Sequence, residues 1–169
     1  MTFELRPAYE YMIYLRHHGF PSPLFDWTLS PRVAAYFAFR NAAENGSASI
    51  YVLADRKFKF GSNAILSVHR LGRYVKAYQR HFLQRSDYTM CLVFNESNEW
   101  RFSAHDGALI TNDPSRKSYQ NFDLRKCNIS LSERLKVLRL LDEYNLNGFS
   151  LFGSAESLME TMTLRKLYF

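Results

Sequence analysis

The segment from Leu15 to Phe39, LRHHGFPSPLFDWTLSPRVAAYFAF, concentrates the side chains best suited to do chemistry. Asp26 can stabilise developing positive charge, while Thr28 and Ser30 can hydrogen-bond a hydroxyl or a phosphate near a helix N-terminus. His17 can act as an acid, a base or a substrate contact. The same polar residues can instead cap backbone N–H groups at a tight turn, and the sequence leaves both interpretations open.

The two adjacent histidines of this segment do not easily share one ligand. Neighbouring residues on a helix point about 100° apart, which separates the rings of His17 and His18. We therefore expect one of the pair to be buried and hydrogen-bonded, and the other to be available to a substrate. A new helix follows the polar turn, because Thr28 or Ser30 can cap it and Pro31 suits its first position.

Helices and strands interleave along the rest of the chain. Apolar spacing and turn residues predict five helices, which run over Ala8–Arg16, from Pro31 to Asn45-Gly46, over Ala64–Gln84, from Ser130 to Asn147-Gly148 and from Ser154 to Leu167. Strands are predicted over Ala48–Ala54, Tyr88–Phe94, Glu99–His105, Phe122–Ile129 and Phe149–Phe152. Ser130 and Glu133 are predicted to form a capping box. The chain is predicted to be α+β, mixed α/β in character, with a mixed sheet packed against amphipathic helices in one domain over residues 1–169.

The helix predicted over Ala64–Gln84 has a basic face. Its basic residues are Arg70, Arg73, Lys76 and Arg80, within the segment 69–85. The chain has a net charge of +6, so an anionic partner such as nucleic acid is compatible with its composition. The aromatic residues of this helix fall on its apolar side, which makes an ordinary solvated face the competing interpretation.

Other classes of protein are less compatible with the sequence. No apolar run approaches the ~20 residues needed to cross a bilayer and no secretion signal is present, so we expect a cytoplasmic protein without a membrane segment. No Cys/His cluster has metal-ligand spacing, and we expect no metal; Cys91 and Cys127 are predicted to be buried free thiols. The motifs of common kinases, dehydrogenases, serine hydrolases and zinc proteases are absent from the sequence.

The crowded segment resembles the signature of the FRG domain, which is close to H-[HY]-G-x-P-T-R-L-L-D-W-T-x-S-P-x-x-A. The matching residues are His17, Gly19, Pro21, Leu24, Asp26, Trp27, Thr28, Ser30, Pro31 and Ala34. Two later stretches, RHFLQRSDYTM and SERLKVLRLLDEYNLNGFSLFGSAESL, are also similar to the family. Pro23 stands where many members have arginine, and the Phe-Arg-Gly motif is not found. The resemblance therefore implies that an N-terminal segment or a partner chain completes the site.

The turn and the following helix are also similar to the second motif of ADP-ribosyltransferases. That resemblance implies NAD as the cofactor, with Thr28 and Ser30 as the strand motif and Tyr36 or Phe37 as the aromatic that packs the nicotinamide. Gln84, with Asp87 nearby, then becomes the downstream polar residue. The arginine that grips the dinucleotide in those enzymes has no counterpart in this sequence.

Two hypotheses about function follow. The first is a prokaryotic FRG-domain protein that uses NAD like an ADP-ribosyltransferase, as a toxin or phage-defence effector, with His17, Asp26 and Gln84 as catalytic residues. The second is a non-catalytic module that binds nucleic acid or a protein through the basic helix 69–85.

Overall fold

The computed structural model describes residues 6–41, 46–55, 66–72, 75, 77–106 and 122–169. The chain forms two compact units, each built from separate stretches of sequence. The first unit contains Met1–Trp27, Val52–Ala77 and Asp87–Arg125, and the second contains Thr28–Tyr51, Tyr78–Ser86 and Lys126–Phe169. The described residues contain helices and antiparallel sheets, so the predicted α+β class is confirmed. The single domain over residues 1–169 stays a prediction.

The described residues contain helices and strands in mixed order. The helices are α1 (Arg6–His17), α2 (Pro31–Arg40), α3 (Gln79–Leu83), α4 (Arg134–Glu143), α5 (Gly148–Phe152) and α6 (Ala155–Leu167), and the strands are β1 (Leu24–Thr28), β2 (Ser47–Asp55), β3 (Leu66–Arg70), β4 (Ser86–Phe94), β5 (Trp100–Ser103) and β6 (Phe122–Ser130). A 3-10 turn over Leu131–Glu133 precedes α4. β2 and β6 pair with each other as a two-stranded sheet.

The sheet of the first unit is organised around β4. β3 pairs antiparallel with one edge of β4, from Leu66 opposite Val93 to Arg70 opposite Thr89. β5 pairs antiparallel with β4 as the predicted hairpin, and β1 is also a neighbour of β4. Because β3 already occupies one edge of β4, β1 and β5 share the other edge. α1 packs on one side of this sheet, in an apolar cluster of Tyr9, Ile13, Leu24 and Tyr88.

The second unit is a helical core. Its buried apolar side chains are Val33, Tyr36, Phe39, Ala48, Leu131, Leu138, Leu141 and Leu151. α2 begins as predicted, with Pro31 in the first turn and the Ser30 side chain accepting the N–H of Val33. Arg40 bonds Glu160 of α6, with Nε to Oε1 at 2.8 Å, and thereby joins the end of α2 to the C-terminal helix.

The prediction of one long helix over Ala64–Gln84 is wrong. Residues 66–70 form β3 and residues 79–83 form the short helix α3. Gly72 lies between them with a φ of 79°, which a helix does not accommodate. Apolar residues at three- and four-residue steps suggested a helix, but pairing with β4 satisfies the backbone of residues 66–70 and decides the outcome.

Two predictions near the C-terminus are also wrong. Phe149–Phe152 is not a strand but part of α5, and Asn147 starts that helix, where its side chain accepts the N–H of Ser150. Ser130 does not form a capping box with Glu133, because its side chain accepts from Ser132 at the 3-10 turn. By contrast, the predicted helix start at Ser154 is confirmed, with a capping box between Ser154 and Ser157.

Three general expectations can be compared with the described part of the chain. No helix there is long and apolar enough to cross a membrane. Within those residues no group of three or more His, Cys, Asp and Glu side chains is placed to hold a metal ion. Both cysteines are free; Cys91 is buried as predicted, but Cys127 is exposed on β6, so the prediction for Cys127 is wrong.

Candidate functional site

Side chains alternate between the two sides of the sheet in the first unit, and polar groups gather on the side opposite α1. Tyr88 points toward α1, so its neighbour Thr89 points the other way. The side chains that surround Thr89 are named here the Thr89 face: Phe25, Trp27, Arg70, Asp87, Thr89 and His105. They come from β1, β3, β4 and the residues after β5.

The Thr89 hydroxyl is the centre of this face. Thr89 is buried, and its Oγ1 lies 2.9 Å from Trp27 Nε1 and 3.0 Å from His105 Nε2. An indole N–H can only donate, so Thr89 Oγ1 accepts from Trp27 and keeps its own proton available to the imidazole. One hydroxyl therefore fixes both a tryptophan and a histidine.

Three rings lie together at one end of the face. The Phe25 ring centroid is 5.3 Å from the ring of Trp27 and also 5.3 Å from the ring of His105. These separations are typical of favourable aromatic contacts. Phe25 remains 48% exposed, so the cluster presents an aromatic surface to solvent while its polar atoms are bonded beneath it.

An ion pair occupies the other end of the face. Arg70 Nε donates to Asp87 Oδ2 at 2.7 Å and Arg70 Nη2 lies 2.6 Å from the same oxygen. The Asp87 side chain is only 4% exposed, whereas the Arg70 side chain is 44% exposed. Asp87 Oδ1 also accepts the N–H of Tyr88 at 2.8 Å. The buried carboxylate thus holds a guanidinium that still reaches solvent.

Burial lowers the pKa of His105 below its ordinary value, and this outweighs the interaction with the Thr89 backbone and the charge of Asp106, which both raise it. An unfolded histidine with a pKa of about 6.5 binds its proton first as the pH falls. The free energy of unfolding should therefore decrease as the pH drops below that value. We predict that His105→Gln shows a smaller decrease between pH 7.5 and pH 5.5, measured by urea denaturation.

The matched variant for that measurement is His69→Gln, because burial lowers the pKa of His69 in the same direction. Each substitution should remove its own part of the pH dependence, and the double variant should remove both parts. An unchanged pH dependence in His105→Gln would show that the folded protein does not hold this imidazole neutral.

The predicted residues His17 and Asp26 lie on the α1 side of the same sheet. His17 Nε2 is 2.9 Å from the hydroxyl of Tyr88, and Arg16 Nε donates to Asp26 Oδ2 at 2.9 Å. Of the two adjacent histidines, His17 is half-buried and bonded to the sheet, while His18 is exposed and bonds the carbonyl of Tyr14. Asp26 is 46% exposed and reachable by a ligand.

Thr28, Ser30 and Gln84 belong to the second unit and are engaged with the backbone. Thr28 Oγ1 donates to the carbonyl of Gln84 at 2.7 Å and accepts the N–H of Ser30 at 3.1 Å. The buried Gln84 side chain donates from Nε2 to the carbonyl of Leu151 at 3.1 Å. Thr28 and Ser30 therefore bond backbone N–H groups at the turn before α2, as the capping interpretation expected, whereas the Gln84 side chain bonds α5.

The two aromatic candidates on α2 differ in accessibility. Tyr36 is buried, and its hydroxyl has no hydrogen-bond partner among the described residues. Burial and the nearby charge of Glu160 raise the pKa of Tyr36 to about 12. Phe37 is exposed and makes edge contacts with Tyr36 and Phe152, so it is the candidate whose ring a ligand can reach.

The two described basic candidates, Arg70 and Arg80, do not lie on one helix. Arg70 lies on β3 and pairs with Asp87, whereas Arg80 lies on α3 with its guanidinium carbon 5.1 Å from the centre of the Phe152 ring. Arg73 and Lys76 lie outside the described residues. The prediction of one continuous helix over 69–85 is therefore wrong, while the binding of nucleic acid or a protein through these basic residues stays a prediction.

Sequence reasoning missed Thr89 and His105 and named Asp87 only as a neighbour of Gln84. One signal was available, because alternation along the Tyr88–Phe94 strand places Asp87 and Thr89 on the side opposite the apolar Tyr88. Polar side chains at inward positions of a buried strand require partners. Nothing in the sequence indicated that the partners are Trp27 and His105.

Comparison with known proteins finds a family match for part of the chain. Residues 2–47 match the family model of the FRG domain, and this span is just over a quarter of the chain. It contains α1, β1 and α2, which carry the predicted signature. No curated protein and no solved structure matches the chain. The FRG resemblance is thus confirmed over this span, and the similarity to ADP-ribosyltransferases stays a prediction.

Proposed function

We propose that the chain is an FRG-domain enzyme of bacterial type that uses NAD like an ADP-ribosyltransferase, because residues 2–47 match the FRG-domain model. A toxin or phage-defence role is part of this proposal. One observation carries it: the end of β1 lies against the segment before β4. Thr28 Oγ1 bonds the Gln84 carbonyl at 2.7 Å, and Leu29 N–H bonds the Arg85 carbonyl at 3.0 Å. These are the two segments to which the resemblance assigns the strand motif and the downstream polar residue.

The proposed reaction transfers ADP-ribose from NAD to a nucleophile. The bond between the nicotinamide nitrogen and the ribose C1′ breaks, and its electron pair leaves with nicotinamide. The acceptor's lone pair then forms the new bond to C1′, and the acceptor's proton passes to a base. A carboxylate near C1′ stabilises the positive charge that develops there.

Asp26 and His17 are the side chains proposed for these roles. Asp26 supplies a half-exposed carboxylate whose ion pair with Arg16 is on the surface, and His17 supplies an imidazole held by Tyr88. The side chain of Gln84 is already bonded to Leu151, so Gln84 acts as a positioning residue through its carbonyl contact with Thr28. Nucleophiles that fit include water and a hydroxyl, amide or guanidinium group of a target.

We predict that Asp26→Asn lowers the rate of nicotinamide release from NAD by about 100-fold or more, because one electrostatic group aimed at transition-state charge is worth that much. The fold should persist, since a surface ion pair such as Arg16–Asp26 contributes about 0–1 kcal/mol. Nicotinamide release would be followed by chromatography at saturating NAD, with thermal denaturation as the check on folding.

Glu99→Gln is the matched control, because Glu99 is another exposed carboxylate paired with an arginine, Arg101. It should release nicotinamide at the rate of the unmodified protein. The proposal fails if the unmodified protein releases no nicotinamide, with or without candidate acceptors, or if Asp26→Asn and Glu99→Gln are equally active.

A further inference from the structure

We propose that the Thr89 face binds a free nucleotide, with the base on the rings of Phe25 and Trp27 and the phosphate on Arg70. The site lies on the side of the sheet opposite His17 and Asp26, so it is separate from the residues of the proposed transferase reaction. It does not depend on that reaction. Each part of the nucleotide has a matching group on the face.

The base is matched by the ring cluster. Phe25 is half-exposed and lies 5.3 Å from both the Trp27 and the His105 rings, which hold it from behind. An aromatic side chain that is fixed in this way offers a stacking surface without losing rotamer freedom on binding. Any nucleobase can stack on such a surface, because each base has an aromatic face.

The phosphate is matched by Arg70. Asp87 holds the guanidinium through Nε and Nη2, while the remaining N–H donors belong to a side chain that is 44% exposed. A guanidinium oriented by a buried carboxylate is prepared for a second oxyanion, since its planar fork suits phosphate geometry. The net charge of +6 on the chain further favours an anionic ligand.

The spacing between these two groups also suits a nucleotide. Arg70 on β3 is directly opposite Thr89 on β4, and Trp27 on β1 bonds Thr89 from the other edge. Neighbouring strands lie about 4.8 Å apart, so the cation and the rings are separated by roughly 10 Å across β4. A mononucleotide spans a comparable distance between the far edge of its base and its phosphate.

His105 adds a polar group beside the rings. Its Nε2 is bonded to Thr89, which orients the imidazole, and the side chain is only partly buried. A neutral imidazole can donate from one nitrogen and accept at the other. It can therefore hydrogen-bond the edge of a base that stacks on the neighbouring Phe25.

The experiment is calorimetric titration of the full chain with AMP, adenosine and inorganic phosphate. We expect AMP to bind more tightly than either fragment. Phe25→Leu should weaken AMP binding about tenfold or more by removing the stacking ring, and it alters a half-exposed residue that leaves folding intact. The double variant Arg70→Gln/Asp87→Asn should weaken AMP binding by a similar factor. It removes the charge of the guanidinium, while the two new amide side chains can still hydrogen-bond each other.

Two controls make the result specific. Arg101→Gln removes an exposed cation opposite Val93 on the same side of the sheet and should leave AMP binding unchanged. Asp26→Asn should also bind AMP normally, even if it is inactive toward NAD. The inference is overturned if AMP shows no saturable binding, if phosphate binds as tightly as AMP, or if Phe25→Leu and the double variant bind AMP normally. A single-stranded oligonucleotide that binds where AMP does not would likewise overturn the assignment.

Discussion

Thr89→Val is expected to lower the free energy of unfolding by roughly 2–3 kcal/mol, although valine has nearly the same shape as threonine. The substitution removes the hydroxyl that bonds both Trp27 Nε1 and His105 Nε2. Both nitrogens would then lie against a buried methyl group, and a buried polar atom without a partner costs about 1–3 kcal/mol. Urea denaturation at pH 7.5 measures this loss.

Thr163→Val provides the matched control for this prediction. Thr163 is exposed on α6, where its hydroxyl donates to the carbonyl of Met159. The same change of side chain should shift the stability by less than about 0.5 kcal/mol there, because water replaces the lost bond. If the two variants are equally stable, the Trp27–Thr89–His105 hydrogen bonds do not hold the Thr89 face together.

Gly148→Ala is expected to destabilise the protein by about 1–3 kcal/mol through overpacking. Gly148 is the first residue of α5 and is buried against α6. A Cβ added there would lie 3.1 Å from the carbonyl oxygen of Ser157, 3.1 Å from Tyr36 Oη and 3.2 Å from Thr161 Oγ1. The Ser157 carbonyl belongs to the α6 backbone and cannot move without shifting the helix. Thermal and urea denaturation would both report the change.

A double-variant cycle with Tyr36→Phe tests the cause. The Tyr36 hydroxyl is buried without a partner among the described residues, so Tyr36→Phe alone should be neutral or stabilising. Removing that oxygen also removes one of the close contacts with the added Cβ. The double variant should therefore recover part of the stability lost in Gly148→Ala. Strict additivity of the two changes would instead place the strain elsewhere.

These stability tests also bear on function. Thr89 lies at the centre of the proposed nucleotide site, whereas Gly148 and Tyr36 lie in the core of the second unit. Because Tyr36 packs inside that core, the exposed Phe37 is the better proposal for an aromatic contact with nicotinamide. A Phe37→Leu variant of unchanged stability would separate a role of Phe37 in contacting nicotinamide from a role in packing.

Local sequence signals located several starts and ends of helices correctly, although α2 ends at Arg40 and not at Asn45-Gly46 as predicted. Ser30 and Pro31 start α2, Ser154 starts α6, and Gly19 follows α1 with a φ of 77°. Each of these outcomes depends on residues within about four positions, where capping side chains and glycine act directly on the adjacent backbone. The hairpin of β4 and β5 was also predictable, because its strands are joined by a short polar turn.

The spacing of apolar residues gave wrong predictions where the hydrogen-bonding partner of a strand is distant in the sequence. It also failed where one dipeptide fits both the end and the start of a helix. The prediction extended the helical spacing of Leu71, Val75, Tyr78 and Phe82 back to residue 64, yet residues 66–70 pair with 89–93 as a strand. Asn147-Gly148 fits both the end of one helix and the start of another, and its capping box with Ser150 decides for the start. In both cases hydrogen bonding overrode a weak preference of the sequence.

By itself, the sequence determined the α+β class, the similarity of the segment from His17 to Ala34 to the FRG signature and the polar turn before α2. Only the tertiary structure decided which polar residues meet. Trp27 and Thr89 are 62 positions apart, and the ion pair of Arg70 and Asp87 requires β3 beside β4. Local preferences act through a few neighbouring residues, whereas such contacts depend on strand pairing that brings distant segments to the same side of one sheet.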